Sequence, residues 1–217
     1  MNETLNSAAE PIMLWDLFLQ GGVTMFFITL IFIWTVFIIF ERLLTLSRTY
    51  QNTETLTGQV RIALQEGTIQ EAIAICEKRK SSPFNRMLHK GLERMKFTKE
   101  IKPVKTAIED IGELELFKLE KNLATLATLA GAAPMLGFLG TVIGMIEVFM
   151  DLHNLEGSIT PQMLSEGIYQ AMVTTAGGLA VGIVAYVAYN VLTARVQKVV
   201  YRMKQLTFEF LDTLQSA

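Results

Sequence analysis

The chain has 217 residues, of which 51% are hydrophobic and 18% are charged, and its formal net charge is −2 at pH 7. Its mean hydropathy of +0.36 is high for a soluble protein, whereas the net charge says little by itself. No nucleic-acid partner is predicted. Three stretches without a charged residue, 17–40, 122–146 and 167–194, are each long enough to cross about 30 Å of hydrocarbon as a helix. These features argue against one or two soluble domains and predict three transmembrane helices.

The basic residues all lie on one side of this predicted topology. Of the 19 lysines and arginines, fifteen fall between Arg42 and Lys121, and the other four follow Ala194. The positive-inside rule makes this side cytoplasmic, so the N-terminus and the loop between the second and third spans are predicted to be periplasmic. Because residues 1–20 carry no basic residue, the first span is expected to be an uncleaved anchor and not a signal peptide.

The predicted fold class is an all-α integral membrane protein whose long helices extend from the three spans into a cytoplasmic helical domain. The predicted segments are a periplasmic N-terminus with an interfacial helix (1–20), a first span (21–40), the cytoplasmic domain (41–122), a second span (123–150), a periplasmic loop (151–167), a third span (168–194) and a cytoplasmic C-terminal helix (195–217).

Local signals predict where helices begin and end in the cytoplasmic domain. Gly67 is placed to end one helix, and Thr68, with a glutamate three residues later, predicts the capped start of the next. Ser82 followed by Pro83 predicts another helix start. From Pro103, the helical pattern continues into the second span.

Residues that would indicate an enzyme are missing from the sequence. It contains no G-x-x-x-x-G-K-[ST], H-E-x-x-H or G-x-S-x-G motif, and His89 and His153 lie on opposite sides of the predicted membrane. Cys76 is the only cysteine, so we expect a reduced packing residue and no disulfide. No enzymatic activity, cofactor or metal site is predicted, and any work must draw on an energy source other than a bound nucleotide.

Small residues are concentrated in the second and third spans, whereas the first span is bulky and suited to lipid. The hydrophobic effect does not drive helices together in lipid, so helices that associate in a membrane pack closely through small side chains. Both spans contain a G-x-x-x-G motif, and the proline in the second span is expected to kink its helix. The residues assigned to helix packing are Pro134, Gly137, Gly140, Gly144, Gly178 and Gly182.

A few polar side chains stand out within these two spans. Thr141 lies in the second span, and Thr174 and Thr175 lie in the third, one turn after Gln170. If the small faces surround a pore, these four residues line it as a proton pathway; the alternative is that each threonine bonds to a carbonyl of its own helix. Glu147, near the outer interface, is a candidate acid for proton uptake. Three spans enclose too little space for a channel, so a homo-oligomer is predicted.

Two stretches resemble the ExbB/TolQ/MotA proton-channel family: APMLGFLGTVIGM at 133–145 and GIYQAMVTTAGGLAVGIVAYVAYNVL at 167–192. Three spans favour the ExbB/TolQ branch, because MotA has four. The resemblance implies a homopentameric ring in a bacterial inner membrane, with the second and third spans around a central pore. It also implies a single-span ExbD- or TolR-like partner in that pore, whose membrane aspartate carries protons, and a TonB- or TolA-like transducer that receives the motion.

The resemblance also extends to individual positions. Thr141 and Thr175 match family threonines that face the partner's aspartate, whereas Gln170 stands where many members have a glutamate and Val184 where many have a proline. Because Gln170 cannot ionise, this chain offers no carboxylate deep in the pore. A structural scaffold or solute-channel subunit without proton coupling therefore stays open as the alternative, as do the identity of the ion, H⁺ or Na⁺, and of the client.

Overall fold

The computed structural model of the chain describes residues 21–50, 58, 62–63, 69–78, 82–98, 100–154 and 161–216. All regular structure in these ranges is α-helical. The helices are α1 (Gly22–Tyr50), α2 (Ile69–Lys78), α3 (Pro83–Met95), α4 (Ile101–Glu120), α5 (Leu123–Asn154) and α6 (Pro161–Ser216). Two predicted features, the interfacial helix within 1–20 and the helix boundary at 67–68, lie outside the described residues.

Three segments of these helices are long and apolar enough to cross a membrane. They are Gly22–Ser47, Ile101–His153 and Gly167–Leu214. The prediction of a helical protein with three segments long and apolar enough to span a membrane is therefore confirmed. The start of α3 also follows the prediction, with Ser82 as its N-cap residue in an extended conformation and Pro83 in the first turn.

The helical pattern that was predicted to run unbroken from Pro103 into the second span is interrupted. Helix α4 begins at Ile101 and ends at Glu120, and α5 begins at Leu123. Between them, Asn122 has a φ of 63°, the left-handed conformation that asparagine tolerates better than most side chains do. The prediction of a continuous helix is wrong here, because one left-handed residue is enough to end the hydrogen-bond ladder of α4.

The chain divides into two compact units, of which the first comprises the described parts of Met1–Ile38 and Thr125–Tyr189. Its buried cluster joins all three of its helices through Ile28, Ala133 and Val181. Helix α1 contributes a narrow buried stripe that also includes Thr35. Most of the remaining side chains of this span are exposed and apolar, and this bulky surface was predicted to suit lipid. The exposed side chains include Phe26, Phe27, Phe32, Ile33, Trp34 and Phe37.

The second unit comprises the described parts of Ile39–Ala124 and Asn190–Ala217. In it, α3 packs against both α2 and α4. The contact between α3 and α4 is close at Gly91, where an added Cβ would lie 2.7 Å from Cδ1 of Ile108. The buried side chains of this unit include Phe84, Leu88, Leu92, Val104, Ile108, Met203 and Phe210.

Helices α5 and α6 approach each other through glycines in the first unit. An added Cβ on Gly178 would lie 2.6 Å from the carbonyl oxygen of Ala133 and 2.8 Å from Cα of Gly137. Because both neighbours are main-chain atoms, no side-chain rotation can make room for it. The adjacent Gly177 faces α1 instead, where an added Cβ would lie 3.1 Å from Cε of Met25. Two successive glycines thus allow α6 to pack against two different helices.

We expect the Gly178→Ala variant to lose about 1–3 kcal/mol of unfolding free energy, because its methyl group forces the two helix backbones apart. Denaturant-induced unfolding of the purified protein in detergent measures this loss. The matched control is Gly131→Ala on α5, where an added Cβ meets nothing within 4 Å. Alanine favours a helix over glycine by up to about 1 kcal/mol, so the control should not be destabilised. Equal losses in the two variants would contradict the close contact.

Cys76 is 1% exposed, and burial raises the pKa of its thiol from 9.0 to about 11. Since the folded-state pKa is the higher one, the protonated thiol favours the folded state below pH 9.0, and this contribution is lost as the pH rises through about 11. At about pH 8 we expect iodoacetamide to modify Cys76 roughly 100-fold more slowly in the folded protein than in denaturant. Mass spectrometry of timed samples measures both rates, and equal rates would contradict the burial.

Candidate functional site

Three threonine hydroxyls converge on one main-chain carbonyl where α5 and α6 meet. Thr175 donates from Oγ1 to the carbonyl oxygen of Gly137 at 3.0 Å, and Oγ1 of Thr174 lies 3.5 Å from the same oxygen. Thr141, one turn after Gly137 on α5, has its Oγ1 3.4 Å from that oxygen. The absence of a side chain at Gly137 lets α6 come this close, so a carbonyl of α5 is shared by hydroxyls of both helices.

A second carbonyl, that of Ala171 on α6, completes the network. Thr141 donates from Oγ1 to it at 3.1 Å, and Thr174 donates to it at 2.8 Å. The hydroxyls of Thr141 and Thr175 are also hydrogen-bonded to each other. Each hydroxyl carries a single proton, so these acceptors compete for it and the direction of the threonine–threonine bond can reverse. The alternative weighed from the sequence, bonding within one helix, holds only in part, because Thr141 and Thr175 both bond across the helix pair.

The three threonines differ in their exposure. Thr174 is 2% exposed, whereas Thr141 and Thr175 are half-buried. Gly140 makes the burial of Thr174 possible, because an added Cβ at Gly140 would lie 2.6 Å from its Oγ1. Within a single chain, only the pair Thr141 and Thr175 reaches the surface. A place for any of the three on a proton pathway stays a prediction.

The network carries no charge of its own. The surrounding stretches, 122–146 and 167–194, contain no aspartate, glutamate, lysine or arginine. In an apolar medium a polar group is costly unless it is hydrogen-bonded, and here each hydroxyl has a carbonyl partner. A hydroxyl can donate to a carboxylate and can accept from a protonated carboxylic acid. The site is therefore able to bind an acidic side chain in either protonation state.

Gln170 lies against the start of α1. Its Nε2 is 2.7 Å from the position that a Cβ on Gly22 would take, and Gly22 has a φ of 58°, which favours glycine. Gln170 precedes Thr174 by one turn on α6. The structure therefore gives its amide a packing role at the beginning of the first span, and its predicted place in the pore stays a prediction.

Pro134 and Gly182 pack directly against each other. A Cβ added to Gly182 would lie 2.5 Å from Cγ of Pro134 and 3.1 Å from the carbonyl oxygen of Ala130. That carbonyl is the one that the missing N–H of Pro134 leaves without its usual partner in the helix. Gly182 thus lets α6 cover the weakened turn of α5, which continues as a helix on both sides of the proline.

Glu147 is exposed on α5 and lies outside the hydroxyl network. It follows Thr141 by six residues, which is about 9 Å along the helix and on a different face. Between them, Gly144 packs against α6, where an added Cβ would lie 3.1 Å from Cβ of Ala171. The structure therefore brings together the three threonines, whereas Glu147 lies farther along α5 and the amide of Gln170 lies against Gly22.

Two participants could not be found from the sequence, namely the acceptor carbonyls of Gly137 and Ala171. Every residue has a carbonyl, so residue type gives no signal for such a role. The small side chains at both positions were the only available indication, since they allow a neighbouring helix to reach the main chain.

Comparison with known proteins identifies relatives of this chain. Residues 79–205, more than half of the chain, match the MotA/TolQ/ExbB proton channel family. An ExbB homolog described as a biopolymer transport protein, from Methanothermobacter thermautotrophicus, is 29% identical over 83% of this chain and 63% of its own length. An ExbB-like biopolymer transport protein from Synechocystis sp. is 32% identical over 82% of this chain and 70% of its own.

A third relative is the Tol-Pal system protein TolQ of Haemophilus influenzae, which is 40% identical over 39% of this chain and 37% of its own length. The chain spans a little under two thirds of the Methanothermobacter protein and somewhat more of the Synechocystis protein. The family match includes α5 and the whole hydroxyl network, so the chain belongs to the MotA/TolQ/ExbB proton channel family.

Proposed function

We propose that the chain is the ring-forming subunit of an inner-membrane stator that converts the proton motive force into mechanical work. Its family is described as one of proton channels, and its relatives as biopolymer transport proteins and a Tol-Pal system protein. In this proposal, a single-span partner of the ExbD or TolR type occupies a central pore. A transducer of the TonB or TolA type receives the motion and acts on the outer membrane.

The observation that carries the proposal is the half-buried hydroxyl pair of Thr141 and Thr175. These hydroxyls bridge two helices, reach the surface of the chain and lie in a stretch without charges. An acid on a partner helix can exchange its proton beside them and keep a hydrogen bond before and after. The carboxylate that carries the proton is then supplied by the partner, and the neutral Gln170 is compatible with this division of roles.

The membrane potential is the energy source in this proposal, and no enzymatic activity is included. One proton that crosses a membrane releases about 2.3 kcal/mol per 100 mV, so a few protons per step can drive a helix rotation of modest cost. The 19 basic residues favour a cytoplasmic location for segment 41–122 and for the C-terminal part of α6. The N-terminus and the loop between α5 and α6 are then periplasmic.

One copy of the chain cannot enclose a pore, and the family resemblance implies a homopentamer. We therefore expect five copies of the chain in the complex with its single-span partner. Native mass spectrometry of the purified complex measures the number of 24.3 kDa subunits directly. Four or six copies would contradict the pentameric ring.

We expect Thr175→Val to impair proton flux while leaving assembly intact. Valine keeps the shape of threonine but removes the donor to Gly137 and the partner of Thr141. A hydrogen bond between membrane helices contributes about 0.6–1.7 kcal/mol, so the flux should fall roughly 3- to 20-fold. Proteoliposomes that contain the complex and a pH-sensitive dye inside measure the flux under an imposed potential.

The matched control is Thr29→Val, because Thr29 donates at 2.9 Å only to the carbonyl of Met25 in its own helix. It should leave the flux near that of the parent, and Thr175→Ser should restore most of it. A complex that passes no protons, or a Thr175→Val variant that passes them at the parental rate, would favour the passive scaffold or solute-channel alternative over the proton-driven stator.

A further inference from the structure

The last turn of α4 is tied to the polar end of the first span, within the second unit. Arg42 is 3% exposed and donates from Nη1 to the carbonyl oxygens of Lys118 at 3.1 Å and Leu119 at 3.5 Å. These carbonyls lie at the end of α4, where main-chain acceptors have no partner within the helix. Beside them, Asn122 donates from Nδ2 to Oε2 of Glu41 at 2.9 Å. The end of α4 therefore lies level with Glu41 and Arg42.

This level is also where the hydrocarbon layer ends, because Phe40 is the last residue of the uncharged stretch 17–40. The headgroup layer adds about 5–7.5 Å on each side of the hydrocarbon. Phe117 and Leu114 precede Leu119 by two and five residues, which is about 3 Å and 7.5 Å along a straight helix. A tilt of α4 would reduce both depths. With the hydrocarbon boundary at Phe40, Phe117 and Leu114 fall within the depth of the headgroups.

Leu114, Phe117, Lys118 and Lys121 share one side of the helix, which we call the interfacial face. Leu114 is 58% exposed and Phe117 is 77% exposed, and the side chains of both lysines are exposed as well. Asp110, on the same side, lies a full turn farther from the membrane than Leu114, and Glu113, four residues before Phe117, lies at the border between this side and the cavity described next. A different side of α4 lines a cavity of about 700 Å³ together with α6, so the interfacial face is not part of that cavity.

The interfacial face keeps a net positive charge. Lys118 bonds to Oε1 of Glu115 at 2.7 Å, but Glu115 is also paired with Arg86. Two cations thus share one carboxylate. At the end of the helix, Lys121 and Arg42 add two positive charges and Glu41 and Glu120 add two negative ones, with Lys121 attracted to Glu41. Four cations therefore stand against three carboxylates. Anionic headgroups are attracted to basic residues that lie close to the spans.

We propose that the interfacial face binds the headgroup layer of the bilayer and prefers anionic phospholipids. Aromatic side chains are enriched at this depth, because their rings suit the boundary between hydrocarbon and water. A second copy of the chain fits this face less well. Protein interfaces usually bury about 800 Å² on each partner and have few charges at their centre, whereas here two apolar side chains are flanked by two lysines. The binding requires only that α1 and α5 cross a bilayer, and it does not depend on proton coupling.

A tryptophan placed on the interfacial face tests the depth. We would introduce Phe117→Trp into the full-length chain, replace both native tryptophans by phenylalanine (Trp15→Phe and Trp34→Phe), and reconstitute the protein in phosphatidylcholine–phosphatidylglycerol nanodiscs. The control is Phe97→Trp, because Phe97 is 83% exposed and precedes α4, about 27 Å or more from Leu119 along that helix. Lipids with a spin label next to the headgroup quench a tryptophan at headgroup depth, and aqueous iodide quenches one in water.

We expect the labelled lipid to quench the tryptophan at position 117 strongly and iodide to quench it weakly, with the reverse at position 97. Strong iodide quenching at both positions would overturn the proposal, because the face would then be in water. Protection of position 117 from both quenchers would overturn it too, because protein would then cover the face.

The preference for anionic lipid is tested by charge removal on the same reporter chain. Lys118→Gln with Lys121→Gln should lower the ratio of quenching by labelled phosphatidylglycerol to quenching by labelled phosphatidylcholine, by up to about fivefold per lysine. The matched control is Lys102→Gln with Lys105→Gln, at the far end of α4, which should leave the ratio unchanged. An unchanged ratio in the first pair would overturn the anionic preference.

Discussion

The main-chain contact between Gly137 and Gly178 sets the distance between α5 and α6, and the other features of this helix pair depend on that distance. In lipid, neighbouring helices gain nothing from hiding apolar surface, so close packing and hydrogen bonds have to hold them together. At the observed separation, hydroxyls of α6 reach a carbonyl of α5, and Thr141 reaches a carbonyl of α6. A pair of helices kept apart by larger side chains would have the same threonines, and each would have to bond within its own helix.

The polar site that results is hydrogen-bonded and uncharged, which suits its surroundings. A buried charge at this depth would cost several kcal/mol, and an unpaired hydroxyl would also carry a cost. Because no group of the network titrates near neutral pH, a titration seen in ion flux would report on an acid outside the network. Substitutions of the three threonines can alter the surroundings of that acid, but they cannot remove the titrating group itself.

Composition and periodicity were sufficient to predict the three apolar segments, the small-residue packing of α5 and α6 and the helix start at Ser82. They also singled out the three threonines, whose place on a proton pathway stays a prediction. These features follow from local sequence, because residue type alone determines hydropathy, side-chain size and capping. The sequence could not predict which helix each of two adjacent residues packs against, or which of the two is buried. Gly177 and Gly178 pack against different helices, and Thr174 is buried beside a half-exposed Thr175.

Neighbours on a helix differ by about 100° in direction, and only the arrangement of the other helices decides which of them is covered. The break at Asn122 was missed for a related reason, since a left-handed asparagine here is held by Glu41, 81 positions earlier in the chain.

The sequence separation between the end of α1 and the end of α4 also has a consequence for biosynthesis. Arg42 leaves the ribosome 76 residues before Lys118, whose carbonyl it binds. At a synthesis rate of about 5–20 residues per second, the guanidinium of Arg42 is made roughly 4–15 s before its main-chain acceptors. During this interval the first span lacks its final cytoplasmic contacts. Arg42 can then be paired only with water, lipid headgroups and the adjacent Glu41.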